Sequence, residues 1–170
     1  VPFISISDPS LQLSKELNLA WYNGNSEVPD LLLIMSRFFD KLIMAFDSNQ
    51  PIKVILVGGS GGGYAILKIL SKLQLPNHVK AIIWNPQFSI IEYNLDAVRR
   101  YIYYCFEFLK QKIDRNKYEL KELMLNNHIE VEVAGKVKSE TVLLFNNKDQ
   151  KHIFSHFKEY FVSNYNDEDI

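Results

Sequence analysis

The 170-residue sequence contains a single cysteine, Cys105, so it can build neither an internal disulfide nor a cysteine metal cluster. It lacks an excess of charge: 19 Lys and Arg stand against 20 Asp and Glu, a formal charge of −1. That balance gives no electrostatic reason to expect DNA, RNA or an anionic membrane as the main partner. No apolar run reaches the roughly 18 residues of a transmembrane helix, so no membrane span is predicted. Val1 to Leu19 lacks the basic start and continuous apolar stretch of a signal peptide, and a cytoplasmic location follows as the expectation. The chain opens on Val1 rather than Met, which predicts a piece of a longer protein or a processed product. A composition that is 47% apolar and 23% charged belongs to a folded domain rather than a disordered one. The length suits one domain, over residues 1–170.

Glycine is scarce too, at seven residues, yet five of the seven fall between Gly58 and Gly63. The surrounding pattern explains where that cluster sits. Ile52–Val57, His78–Trp84 and Thr141–Phe145 are apolar, β-branched runs of the kind buried on both faces of a parallel sheet. Three- and four-residue apolar spacing predicts helices over Pro29–Phe46, Tyr64–Leu73, Tyr118–Asn126 and His152–Val162, with Asp96 as the N-cap of another reaching about Ile113. Phe3–Ser7 and Leu17–Tyr22 read as further strands, and the alternating His128–Ala134 as an edge strand. The aromatic group Tyr101, Tyr103, Tyr104, Phe106 and Phe108 reads as core plus a covering face. The order predicts an α/β fold, a mostly parallel sheet sandwiched by helices in three layers. Ligands in such sheets bind at the carboxyl ends of the strands. Asp8-Pro9, the glycine cluster, Asn85-Pro86-Gln87, and Asp149 with His152 all fall there.

Three glycine-loop chemistries compete for Val57–Tyr64. A phosphate-cradling loop needs Lys and Ser or Thr where this sequence has Tyr64 and Ala65. A dinucleotide loop needs a third glycine where Tyr64 stands, and an acid where the next strand ends in Asn85. The nucleophile elbow, G-x-S-x-G between strand and helix, is matched in full by Gly58-Gly59-Ser60-Gly61-Gly62. It predicts a strained, exposed Ser60, with side chains excluded at Gly58 and Gly62. Gly59 lies beside the serine, and the Gly61 N–H is an oxyanion donor. The competing reading is a glycine turn that packs strand on helix, with Ser60 a bystander.

A nucleophilic serine needs a base and an acid to orient it. Asp149 is the acid at the end of a later buried strand. His152, three residues on, is the candidate base, with His156 as the alternative. His78 and His128 read as structural. Asp8 either lends a second oxyanion N–H and shapes the pocket, or is a turn and N-cap residue. Asn85 and Gln87 either touch substrate or close a proline turn. No histidine pair has convincing metal-ligand spacing, and neither metal nor cofactor is predicted.

The strand–elbow–helix and the later strand-then-Asp resemble the α/β-hydrolase superfamily. Taken with Ser7-Asp8-Pro9, LAWYNGN over residues 19–25, IIWNPQ over residues 82–87 and the NNKD segment before His152, they resemble hydrolase-like proteins encoded among bacterial capsule and surface-polysaccharide biosynthesis genes. That resemblance implies a serine esterase or acyltransferase acting on an ester, such as an O-acyl group of a glycan, beside a neighbouring glycosyltransferase domain. It implies Ser60 as nucleophile, with Asp149 and His152 completing the site. The chain is shorter than a full α/β-hydrolase: the early antiparallel strands and a final strand after the last helix are missing. A non-catalytic module of the same fold, assisting polysaccharide assembly, is the alternative expectation. A nucleotide-binding domain is the third.

Overall fold

A computed structural model describes residues 2–46, 53–133, 137–149 and 153. The predicted helix His152–Val162 lies outside them, apart from Ile153. The described elements run α1 (Leu31–Phe46), β1 (Val54–Gly59), α2 (Ser60–Lys72), β2 (Val79–Trp84), α3 (Leu95–Cys105), α4 (Lys117–Asn126) and β3 (Glu140–Leu144). Short 3-10 turns fill Pro9–Leu13, Pro76–His78 and Glu107–Lys112. The strands form one parallel sheet in the order β1-β2-β3, with Val54 opposite Val79 and Lys80 opposite Glu140. The chain is therefore α/β, with a helical crossover between each pair of strands.

One face of this sheet is core. Leu56, Ala81 and Ile83 point into it and meet Ala65, Leu67, Ile69 and Leu70 of α2, among other buried side chains. The other face is apolar and exposed: Ile55, Val57, Ile82, Trp84, Val142 and Leu144 range from 38% to 59% accessible. Strands apolar on both faces predict helices on both sides. Among the described residues, only one face has that cover. Helix α1 packs on α2, and its buried Asp40 accepts hydrogen bonds from the Gln74 and Leu75 amides just beyond the end of α2.

Several local readings change. Residues 2–8 and 17–25 form no strands. Leu17–Tyr22 has the residue types of a strand, but Trp21 and Tyr22 turn back at φ 55° and 54°. Of the predicted strand His128–Ala134, Ala134 lies outside the described residues, and over 128–133 one antiparallel bridge is present, Glu132 with Ser89; α4 ends at Asn126 and His128 turns at φ 58°. This segment is held to α2 by Lys68 and Lys72, which pair with Glu130. Burial alone would raise the Glu130 pKa, but these two cations outweigh it and hold it below the usual range. The cap of α3 is Asn94 rather than Asp96, since the Asn94 carboxamide accepts from the Asp96 and Ala97 amides. That helix stops at Cys105 and passes into a 3-10 turn rather than running on to Ile113. The aromatic group divides as expected: Tyr101 and Phe106 are core, while Tyr103 and Phe108 lie outside.

Candidate functional site

Helix α2 begins at Ser60, immediately after β1, so strand and helix meet with no loop between them. The junction is made by Ser60 itself, which adopts φ +51°. A non-glycine residue in the left-handed region is uncommon and costs about 1 kcal/mol or more, so the surroundings must hold it there. They do so through close packing. Gly59 has no room for a Cβ because the Trp84 indole fills that space, and a Cβ on Gly63 would stand 2.7 Å from Ile83 Cγ2 and 3.1 Å from Pro86 Cα. The expected exclusion at Gly62 is not found: a Cβ there meets nothing within 4 Å. At Gly58 it would meet only the tip of Ile66, which has freedom to move. A Cβ on Gly61 would stand 2.5 Å from Leu19 Cδ1, so the tight glycines are Gly59 before the serine and Gly61 and Gly63 after it.

Ser60 is partly exposed and lines a cleft of about 320 Å³ together with Asn18, Leu19, Tyr93, Asn94, Ala97 and Arg100. Behind it lies a buried relay. The Gln87 side-chain amide donates to Ser60 Oγ at 3.0 Å, and the Gln87 backbone N–H donates to the Ser60 carbonyl at 3.3 Å. Gln87 is fully buried, and its Oε1 accepts from the indole N–H of Trp21. An indole nitrogen only donates, so Trp21 fixes the carboxamide: Oε1 must face Trp21 and Nε2 must face Ser60. Ser60 Oγ is therefore an acceptor on this side, and its own proton is directed elsewhere.

Trp21 is 0% exposed and is held by edge contacts with Tyr93 and Tyr101, at centroid distances of 6.1 and 5.6 Å. Its loop is tied down from several sides. The Asp8 carboxylate accepts from the Tyr22 and Ser10 amides at 2.6 and 3.0 Å. Tyr101 Oη donates to the Asn23 and Gly24 carbonyls, and Asn23 Nδ2 donates to the Glu130 carbonyl. Asp8 is thus the N-cap of the 3-10 turn and the clamp of the Trp21–Tyr22 turn. Burial raises its pKa, and the hydrogen bonds from Tyr22 and Ser10 offset part of that rise. Of the two roles foreseen for Asp8, turn and cap residue is the one its contacts describe.

Asn85 is not among the cleft-lining residues. It turns at φ 41°, and its Oδ1 accepts from the Asn146 amide at 2.8 Å, stitching the end of β2 to the end of β3. Gln87 is neither a surface contact nor a simple turn residue but the buried neighbour of Ser60. Asp149 follows β3 at the same carboxyl edge of the sheet, half-buried, with its amide on the Asn146 carbonyl. His152 and His156 lie outside the described residues. Gly61 starts α2 next to Ser60, where its N–H has no partner within the helix. The other nucleophile of the chain, Cys105, is buried, and desolvation with the nearby Asp8 charge pushes its thiol up to about 12. It is inert at neutral pH.

Sequence reasoning missed Trp21 as a partner of the site and the cleft residues Asn18, Asn94 and Arg100, and Asn18, Asn94 and Arg100 belong to no motif. Tertiary contacts bring them into the site: Gln87 meets Ser60 across 27 residues and Trp21 across 66. Among the described residues no three His, Cys, Asp or Glu side chains gather as a metal site requires, and no helix is long and apolar enough to cross a membrane. Compared with protein-family models, curated proteins and solved structures, the chain matches none.

Proposed function

We propose that this chain is a serine hydrolase or acyltransferase acting on an ester, with Ser60 as nucleophile. The observation that carries the reading is the left-handed Ser60 at the β1–α2 junction, set in the wall of a cleft. A strained non-glycine residue held by its surroundings is a feature of functional sites, and here the strain falls on the one serine of the elbow pattern. In this reading Ser60 Oγ attacks the ester carbonyl and passes its proton to His152, which Asp149 orients. The carbonyl oxygen, now an oxyanion, is met by the Gly61 N–H and by the field at the amino end of α2. The leaving alcohol takes the proton from His152. Water, or an acceptor hydroxyl, then attacks the acyl-serine to release the acid or the new ester. Gln87 contributes before bond formation: a hydrogen bond given to Oγ favours its anionic form. The resemblance to α/β-hydrolases of capsule and surface-polysaccharide loci supports an O-acyl group of a glycan as the substrate, a cytoplasmic setting and a neighbouring glycosyltransferase domain.

The test is hydrolysis of 4-nitrophenyl acetate by the folded protein. Ser60→Ala and His152→Ala should each lose activity by at least a hundredfold, while His156→Ala keeps it. Turnover by Ser60→Ala equal to that of the parent protein contradicts the reading.

One observation favours the second reading, a non-catalytic module of the same fold. Among the described residues the group on Ser60 Oγ is a carboxamide, which moves no proton. Hydrolysis of 4-nitrophenyl acetate by the folded parent protein no faster than in buffer alone would favour it.

A further inference from the structure

We infer that the cleft at Ser60 is built for a ligand with a negatively charged group, a carboxylate or a phosphate, next to the reacting ester. This rests on the proposed role of Ser60 only for the word ester; the charge preference follows from the cleft itself. Arg100 is the one charged side chain among the described residues of the cleft wall. It is exposed, and no carboxylate among the described residues pairs with it, whereas its neighbour Arg99 is paired with Asp96. No described acid lines the cleft to compete for it. Asp8 is turned instead to the Ser10 and Tyr22 amides. Arg100 lies one turn beyond Ala97 on α3, and Asn94 caps the start of that helix. The Asn94 Oδ1 is occupied by the helix cap, which leaves its Nδ2 as a donor, and the Asn18 carboxamide has no partner among the described residues. The lining therefore offers a guanidinium and two amide donors with no opposing charge. A planar guanidinium fork suits the paired oxygens of a carboxylate or phosphate. A volume of about 320 Å³ sits at the small end of ligand pockets and suits one sugar-sized unit.

Two pairs of probes separate the possibilities by calorimetric titration of the full chain: glucuronate against its neutral methyl ester, and glucose 6-phosphate against glucose. The expected result is that at least one anion binds roughly tenfold more tightly than its neutral counterpart, the scale of one charge-assisted hydrogen bond. The tighter of the two anions names carboxylate or phosphate as the group read. Arg100→Gln should abolish the preference with binding of the neutral sugar unchanged, and Arg100→Lys should keep part of it. Equal binding of anion and neutral counterpart, binding of neither anion, or a preference that survives in Arg100→Gln overturns the inference. Because binding is read without turnover, the inference and the catalytic reading fail separately. Loss of hydrolysis with the preference intact touches only the nucleophile, and loss of the preference with hydrolysis intact touches only Arg100.

Discussion

Of the turns among the described residues that place non-glycine residues in the left-handed region, two meet at Gln87. One is the Ser60 elbow. The other is the Trp21–Tyr22 turn, 39 residues earlier in the chain. The elbow is held by its immediate neighbours: a strand on one side, a helix on the other, and glycines that let Trp84, Ile83 and Pro86 approach. The earlier turn has no glycine at its strained positions and is held from a distance by Asp8, Tyr101 and Gln87. The same backbone strain is thus stabilised in two ways, by local sequence and by tertiary contacts. Only the first lines a cleft, where chemistry can use it; in the second, Trp21 is fully buried.

The comparison is broken most severely at Trp21. Trp21→Ala empties a fully buried site and strands the Gln87 carbonyl, and should cost about 3–5 kcal/mol in urea unfolding. Trp21→Phe keeps an aromatic ring and removes the donor, so a variant as stable as the parent protein would refute the relay. Next is Gly59→Ala, where the new methyl collides with the Trp84 indole; overpacking of this kind costs about 1–3 kcal/mol. Asp8→Asn tests the distant clamp. Asparagine presents one acceptor where two are used, and about 1–3 kcal/mol should be lost. This loss should vary with pH. The folded-state pKa of Asp8 is raised, so its protonated form is favoured in the native state. That stability is present in full below the ordinary carboxylate value of about 3.9 and fades as pH rises through the raised one. The advantage of the parent protein over Asp8→Asn should therefore shrink with rising pH across that window. The smallest effect sharpens the contrast: Gly62→Ala, with open space and a helical position, should stabilise by about 0.4–1 kcal/mol.

The elbow was legible in the sequence because its cause is local. Five glycines, a β-branched run before them and an apolar period after them specify the strand, the turn and the helix. The pattern places the start of α2 four residues late, at Tyr64, because glycines are poor helix formers; close packing of Gly61 on Leu19 and of Gly63 on Ile83 and Pro86 accounts for two of them there. The parallel order β1-β2-β3 was legible from apolar runs alternating with helices. A second helical layer was not found among the described residues, since an apolar strand announces that both faces want cover but not what supplies it. LAWYNGN was misread because Leu, Trp and Tyr favour strands locally, and the contacts that bend the chain come from Asp8, Gln87 and Tyr101. Arg100 was invisible as a site residue for the same reason: its place beside Ser60 is a property of α3 packing, not of any motif.

An activated Ser60 and a Ser60 that only packs in a glycine turn differ in their reactivity. The direct measurement is mass spectrometry of the native protein after treatment with a fluorophosphonate, a reagent that phosphonylates activated serines. The account predicts one adduct, on the peptide carrying Ser60, absent from Ser60→Ala and from protein unfolded in urea. No adduct on folded protein, under conditions that label a known serine hydrolase to completion, would contradict it.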